Sequence, residues 1–307
     1  MPKINVEKIQ SLTGHKDCLY VLESASENNL FFSAGGDGIV ALWDLKDAEL
    51  GTMVAKVQNS VYALHFLKEN NQLIVGQNYE GIHLVDVEEK QELKSAKIID
   101  SAIFDIKVVG NIILTACADG QLILSDLKDL STIAKLKLSD NSARAIAIHP
   151  NEEEVAIGFS DNTIKIISTS DWRLKKEIKA HDNSVFTLQY SFDGNLLLSS
   201  GRDAHLKIWD VKSDYLLLET IVAHMYAINN ISFRPDGKYF ATCSMDKSIK
   251  IWDAQTFRLL KVIDKARHAG HATSVNKLLW TDFKDRLVSA SDDHTISIWD
   301  IQMHNKK

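Results

Sequence analysis

Cysteine and proline are scarce in this chain: three of each occur among 307 residues, together with 14 glycines. With so little proline and glycine, and with 45% hydrophobic and 25% charged residues, the composition is that of a globular protein and excludes a disordered chain. Cys18, Cys117 and Cys243 are odd in number, far apart and never in CxxC spacing. The sequence therefore predicts neither a disulfide framework nor a zinc site, and it favours a reducing compartment.

An excess of positive charge is also missing, since the formal net charge is -6 and the isoelectric point is about 6.0. This balance argues against nucleic acid or an anionic membrane as the main partner. No apolar run approaches the roughly 18 residues of a membrane span, and the first residues lack the apolar segment of a secretion signal. We therefore expect a soluble, cytoplasmic monomer.

What the sequence does contain is a short segment that recurs along its whole length. Seven copies similar to "IKIWD" end 40 to 47 residues apart, at Asp44, Asp86, Asp126, Ser168, Asp210, Asp253 and Asp300. This period is typical of four-stranded propeller blades. Within each copy, β-branched and aromatic runs are separated by turn clusters such as "SFDG" and "RPDG", without helical periodicity. The pattern predicts an all-β repeat protein with no linker between its copies.

Four of the copies share a set of polar residues at constant spacing. In each, a His precedes an Asp by 22 residues, the Asp precedes a Trp by six, and a hydroxyl residue lies four before the Asp. The four sets are His15, Ser33, Asp37 and Trp43; His181, Ser199, Asp203 and Trp209; His224, Thr242, Asp246 and Trp252; and His271, Ser289, Asp293 and Trp299.

These residues and their spacing resemble the WD-repeat β-propeller family, and the resemblance covers essentially the whole chain. It implies one seven-bladed β-propeller domain, residues 1–307, with four-stranded antiparallel blades. It also implies that each set is a tetrad, in which hydrogen bonds tie the inner strands to the loop from the preceding blade. A Ser, a His and an Asp could instead form a nucleophilic triad, but four equal triads would mean four active sites. We interpret the tetrads as structural and predict no catalytic residue.

The seventh copy ends with its third strand, "ISIWDIQ", and needs an outer strand from elsewhere. The segment "INVEKIQSLTGH" precedes His15 as other outer strands precede their His residues. We therefore expect Ile4–Leu12 to form the outer strand of the last blade, which closes the ring and removes an exposed sheet edge.

Copies two to four are incomplete. Glu80 replaces the turn Asp in copy two, Val85, Ser125 and Ile167 replace the Trp residues, and no His stands at the matching places. This pattern is expected from drift, since an apolar replacement of a polar network can be nearly neutral. The alternative is that these blades form a distinct, more adaptable side of the molecule.

Apolar residues on the first strand of a copy lie four, seven and nine positions after the His, as in Val185, Leu188 and Tyr190. Side chains alternate between the two faces of a strand, so residues at positions four and seven would lie on opposite faces of a regular strand. Both are apolar, so a β-bulge is predicted near the fifth position. A bulge there would turn its side chain toward the mouth of the central channel. The residues at this position are Tyr20, Tyr62, Phe104, Arg144, Phe186, Asn229 and Asn276.

Aromatic residues and arginine are common anchors of binding surfaces, so these seven residues are the predicted partner-binding site. The alternative is that large side chains only plug the channel. The leading function is a non-catalytic scaffold for a protein or peptide partner. An enzyme using the channel and a structural subunit packed by its outer rim are alternatives. We expect no cofactor and no metal, because the one candidate pair in "RHAGH", His268 and His271, shares His271 with a tetrad.

Overall fold

The structure is a computed structural model that describes residues 3–47, 49 and 51–304. These residues form 28 strands in seven four-stranded sheets and one short helix. The chain divides into two compact units. The middle unit is Val57–Ile228, and the terminal unit combines the chain up to Lys56 with the chain from Asn229 onward. No helix of the described residues is long and apolar enough to cross a membrane.

The middle unit contains four sheets, each built from four consecutive strands. We call them blades 2 to 5: β6–β9, β10–β13, β14–β17 and β18–β21. Their strands are β6 Val61–Leu67, β7 Gln72–Gln77, β8 Gly81–Asp86, β9 Gln91–Lys97, β10 Ile103–Val109, β11 Ile112–Cys117, β12 Gln121–Asp126, β13 Thr132–Lys137, β14 Ala143–Ile148, β15 Glu154–Phe159, β16 Thr163–Ser168, β17 Leu174–Lys179, β18 Val185–Tyr190, β19 Leu196–Gly201, β20 His205–Asp210 and β21 Leu216–Val222.

The terminal unit contains blade 1 (β2–β5), blade 6 (β22–β25) and blade 7, whose strand order is β1-β28-β27-β26. A four-residue helix, α1, lies between blades 6 and 7. The elements are β1 Lys3–Leu12, β2 Leu19–Ser24, β3 Leu30–Gly35, β4 Ile39–Asp44, β5 Thr52–Lys56, β22 Ile228–Phe233, β23 Tyr239–Ser244, β24 Ile249–Asp253, β25 Leu259–Ile263, α1 Lys265–His268, β26 Val275–Trp280, β27 Leu287–Ser291 and β28 Ile296–His304.

The hydrophobic core lies in layers between neighbouring blades. Trp209 of blade 5 is clustered with Ile164 and Ile166 of blade 4, and Trp43 of blade 1 with Val288 of blade 7. Second strands are therefore covered on both faces, and all six residues of β15, "EVAIGF", are buried. Fourth strands lie at the sheet edge, and β9 and β21 are almost wholly exposed. This burial explains why second strands read as nearly continuous apolar runs, whereas an exposed fourth strand such as β9, "QELKSAK", can be polar.

Seven antiparallel four-stranded sheets of this kind are the blades of a β-propeller, so the predicted fold class is confirmed. The predicted outer strand of the last blade is also present. β1 pairs antiparallel with β28 from Lys3 opposite His304 to Leu12 opposite Ile296. That the whole chain is a single domain stays a prediction.

Candidate functional site

Three tetrads form the same hydrogen-bonded network. In blade 1, Trp43 Nε1 donates to Ser33 Oγ at 2.8 Å, and His15 contacts Ser33 Oγ through Nε2 at 2.8 Å and the Asp37 carboxylate through Nδ1 at 3.0 Å. A carboxylate only accepts, so His15 Nδ1 carries a proton and donates to Asp37. Each buried polar group in the set thus has a partner.

Two further tetrads repeat this geometry within about 0.1 Å. Trp209 donates to Ser199 at 2.8 Å, and His181 contacts Ser199 at 2.8 Å and Asp203 at 2.9 Å. In blade 7 the corresponding distances, among Trp299, Ser289, His271 and Asp293, are 2.8, 2.8 and 3.0 Å. In blade 6, Trp252 donates to Thr242 at 2.9 Å, Asp246 accepts from the Ser248 backbone at 2.9 Å, and His224 is buried.

Blade 4 lacks the His and the Trp but keeps a partner for its Asp. Ser139, 22 residues before Asp161, donates from Oγ to the Asp161 carboxylate at 2.5 Å. This Ser holds the carboxylate at the spacing that His has in the complete tetrads, which a search for His alone overlooks. In blade 3, the buried hydroxyls of Thr115 and Ser125 have no hydrogen-bond partner in the part of the chain that the structure describes. The described residues of blade 3 therefore form no equivalent of the Trp-to-hydroxyl hydrogen bond of the complete tetrads.

We expect the free energy of unfolding to fall as the pH drops from 3.8 toward 2, in a way that depends on Asp203. Burial alone would raise the pKa of this carboxyl. The hydrogen bond and charge of His181, with the backbone N–H groups of Asp182 and His205, outweigh burial and lower the pKa from 3.8 to about 2. Because the folded-state pKa lies below the unfolded value, the carboxylate stabilises the fold above pH 3.8, and this contribution is lost as the pH falls through the folded-state pKa.

Urea unfolding, followed by circular dichroism across this pH range, measures the effect. Asp203→Asn should unfold at lower urea near neutral pH, and its unfolding free energy should depend less steeply on pH in the same window. Equal pH slopes for the parent protein and Asp203→Asn would contradict the assignment.

The predicted bulges occur at the fifth position. In six first strands, the pairing with the second strand skips one residue, at Tyr20, Tyr62, Phe104, Arg144, Phe186 and Asn276. The skipped residue is half-buried in each of the six strands. A bulged residue leaves the regular alternation of faces, so its side chain is released from the packing between blades.

In the middle unit, four of the seven predicted residues meet. The first strands β6, β10, β14 and β18 follow one another as neighbours, which brings together Tyr62, Phe104, Arg144 and Phe186. We call these four residues the aromatic–arginine cluster. The rings of Tyr62 and Phe104 are 5.8 Å apart, and the Arg144 guanidinium carbon lies 4.1 Å from the centre of the Phe104 ring and 5.4 Å from that of Phe186.

The orientation of Arg144 is set by its surroundings. Its Nε donates to Ser160 Oγ at 3.0 Å, and its guanidinium makes cation–π contacts with two phenyl rings. Burial lowers the pKa of Arg144, Tyr62 opposes this shift, and the positive charge of Arg202 adds to it. Since arginine stays protonated in proteins, the cluster holds a permanent, partly desolvated cation with a second cation close by.

Ser160 and Arg202 were missed in the sequence, although a positional signal exists. Ser160 immediately precedes the turn Asp of its blade, and in blade 7 the residue at that position, Asp292, accepts from the bulge residue Asn276 at 2.6 Å. The residue before the turn Asp is thus a neighbour of the bulge residue. Arg202 holds this position in blade 5, beside Phe186 in the repeat pattern.

The three remaining predicted residues belong to the terminal unit and differ from the cluster. Asn229 donates to Ser274 Oγ at 3.0 Å and to the Val275 carbonyl at 2.9 Å. Asn276 donates to the Leu19 carbonyl at 2.8 Å as well as to Asp292. Both amides therefore bridge backbone segments, as structural side chains do, while Tyr20 is half-buried at its bulge.

The blades and tetrads together define a β-propeller whose polar networks hold its sheets in place. The sequence model described as "WD domain, G-beta repeat" matches the chain four times, at residues 6–44, 172–210, 216–253 and 264–300. These matches are the copies with complete tetrads, and with the seven blades they show that the chain belongs to the WD-repeat β-propeller family.

Several curated proteins are similar to this chain over part of their length. Transcription factor unc-37 of Caenorhabditis elegans is 23% identical over 60% of this chain and 39% of that protein. Topless-related protein 1 of Arabidopsis thaliana is 30% identical over 31% of this chain and 9% of that protein. WD repeat-containing protein 1 of Xenopus tropicalis is 24% identical over 66% of this chain and 34% of that protein. The chain spans well under half the length of these relatives.

Proposed function

We propose that this protein is a non-catalytic interaction module, which binds a segment of a partner protein at the aromatic–arginine cluster through an acidic group of that segment. The family supports the coarser part of this proposal, since WD-repeat propellers are typically scaffolds or regulators that bind proteins. The cytoplasmic location, the monomeric state and the absence of nucleic-acid partners belong to the same proposal.

The observation that carries the proposal is the held guanidinium. Arg144 is fixed through the hydrogen bond of its Nε and through cation–π contacts with Phe104 and Phe186. Its two terminal nitrogens form no hydrogen bond within the described residues. A planar guanidinium so oriented suits a carboxylate, which it binds through two parallel hydrogen bonds. The surrounding aromatic rings add apolar contact area at low entropic cost, as in binding hot spots.

The tetrads support the non-catalytic part of the proposal. Ser33, Ser199 and Ser289 are 0% exposed. Each hydroxyl already bonds a Trp and a His. A nucleophile must reach its substrate, and these hydroxyls are fully buried.

The test begins with a peptide library displayed on phage and selected against the purified protein. We expect the enriched peptides to share an acidic side chain or a free C-terminal carboxylate. Arg144→Lys should weaken the best peptide more than tenfold, because an ammonium cannot form the bidentate pair. Replacement of Tyr62, Phe104 and Phe186 by Ala should also weaken binding well over tenfold.

Leu188→Ala is the matched stability control, since Leu188 is buried in the layer between blades 4 and 5. Truncation there should cost roughly 2 to 5 kcal/mol in unfolding free energy. It should leave peptide affinity intact in the folded fraction. If the triple variant kept its peptide affinity and lost as much stability as Leu188→Ala, the cluster would be a plug of the channel.

A second candidate function is favoured by the edge of blade 5. Three consecutive leucines of β21, Leu216, Leu217 and Leu218, are 60%, 41% and 47% exposed. β21 is the last strand of its sheet, so its outer backbone groups are open to pairing. This supports packing by the outer rim, and Leu216→Lys with Leu218→Lys would remove a rim partner without affecting peptides selected for the cluster.

A further inference from the structure

Blades 1 and 7 bring together a thiol, an imidazole and a carboxylate outside the tetrads. One ligand atom from each of Asp17, Cys18 and His294 lies within 4.8 Å of the other two. Among the residues that the structure describes, this is the one group of three His, Cys, Asp or Glu side chains with such spacing. Asp17 and Cys18 lie in the loop before β2, and His294 lies in the turn between β27 and β28. All three belong to the terminal unit.

We infer that Asp17, Cys18 and His294 form a binding site for one divalent transition-metal cation of the zinc type. Thiolate, imidazole and carboxylate are the ligands of tetrahedral zinc, and the soft sulfur ligand disfavours calcium and magnesium. Three protein ligands leave a fourth position for water, for a partner's side chain or for a backbone oxygen.

A backbone oxygen is already at hand. The Asp292 carbonyl lies 3.7 Å from the Cys18 sulfur. Bond lengths of zinc sites place neighbouring ligand atoms about 3.3 to 3.6 Å apart. The sulfur–carbonyl distance is thus close to an edge of the tetrahedron, and the other ligand atoms need to close by about 1 Å. His294 is exposed, so rotation of its side chain can supply this movement.

The loop holds its two ligands in a defined geometry. The Cys18 backbone N–H donates to Asp17 Oδ1 at 2.7 Å, and the Cys18 carbonyl accepts from the Gly36 backbone at 2.8 Å. A Cβ at Gly36 would lie 2.7 Å from the Asp17 carboxylate, so glycine leaves the room that this carboxylate occupies. Such outer contacts orient the ligands of metal sites.

In other blades, the positions that correspond to Asp17, Cys18 and His294 are occupied by residues that seldom bind zinc. Ser142 and Ser184 take the place of Cys18, and each donates to the carbonyl that corresponds to that of Asp292, at 2.9 and 3.4 Å. Asn183 takes the place of Asp17 and accepts from the next backbone N–H at 2.8 Å. The left-handed turn position of His294, φ 65°, is held by Asn162 in blade 4, φ 74°. The contacts with the backbone therefore recur in other blades. The possible metal ligands do not, because serine and asparagine replace cysteine, aspartate and histidine there.

These equivalents supply test variants that the fold tolerates: Cys18→Ser, Asp17→Asn and His294→Asn. The purified protein, reduced and freed of metal, is titrated with zinc against a chromophoric chelator, and bound zinc is counted by mass spectrometry. We expect one zinc per chain and a loss of at least tenfold in affinity for each variant, since even changes around metal ligands cost 10- to 100-fold. Cobalt(II) should give a sulfur-to-metal charge-transfer band that Cys18→Ser abolishes.

His268→Asn is the matched control, because it removes a histidine near the tetrad residue His271 and leaves the proposed ligands intact. It should bind zinc as the parent protein does. Melting curves of the metal-free variants establish that each is folded. The inference is overturned if folded Cys18→Ser or His294→Asn binds zinc with the parent's affinity, if less than one zinc binds per chain, or if His268→Asn is the variant that loses binding.

Discussion

Removal of residues 1–12 is expected to destabilise the protein strongly and to make it self-associate. The deletion takes away β1, which pairs with β28 along its whole length. It also removes the buried side chains of Ile4 and Leu12, which are 7% and 3% exposed. Burial of an aliphatic side chain contributes about 1.5 to 3 kcal/mol, so these two alone account for roughly 3 to 6 kcal/mol.

The remaining strand edge explains the expected self-association. β28 contains Ile296, Ile298 and Trp299 in sequence, and without β1 its outer hydrogen-bonding groups are unpaired. Light scattering after size exclusion reports the oligomeric state, and urea unfolding reports the stability. A synthetic peptide of residues 1–12 added in trans should restore the monomer. A truncated protein that stays monomeric, with an unchanged urea midpoint, would show that β1 is dispensable for closing blade 7.

Trp209→Ala is expected to destabilise the protein strongly. The indole is 4% exposed and lies in the layer between blades 4 and 5 with Ile164 and Ile166. Loss of a buried Trp side chain costs roughly 3 to 5 kcal/mol through the cavity left behind. The change also removes the hydrogen bond to Ser199, which keeps its bond to His181, and this loss costs about 1 kcal/mol more.

Trp209→Phe separates the two contributions, because it keeps most of the volume and loses only the N–H donor. We expect a loss of about 1 kcal/mol for Trp209→Phe, the net value of one hydrogen bond. Ser199→Ala should likewise lower the urea midpoint. If Ser199→Ala unfolded like the parent protein while a hydrolytic activity disappeared, the tetrad would be catalytic and the structural interpretation would be wrong.

Only part of the candidate site could be predicted from the sequence. The parity change between Val185 and Leu188 located the bulges, because side-chain alternation along a strand is a strict local rule. The pattern assigned equal weight to Arg144 and Asn276, yet one is held between aromatic rings and the other bridges backbone segments. The spacing of residues along one strand does not indicate which residues of neighbouring strands the side chain at a bulge contacts. The difference between Arg144 and Asn276 is therefore visible only in the three-dimensional structure.

The incomplete copies likewise contain one interaction that the spacing of residues in the sequence did not predict. A constant His-to-Asp spacing was sufficient to identify the complete sets, but not to recognise that Ser139 holds Asp161 in blade 4. Hydrogen bonding depends on atom type and distance, and a hydroxyl can replace an imidazole when the backbone brings it close enough. The absence of a histidine from this copy of the sequence therefore does not mean that the hydrogen bond to Asp161 is lost.

The sequence by itself determined the all-β class, the seven blades, the tetrad positions and the outer strand of blade 7. All of these follow from periodicity and spacing, which are local properties repeated seven times. Only the tertiary structure decided which side chains from different blades meet: Arg144 with Phe104 and Phe186, and Asp17 with Cys18 and His294. His294 lies more than 270 residues from Asp17 and Cys18 along the chain. Such encounters depend on how sheets stack, and no local pattern encodes that.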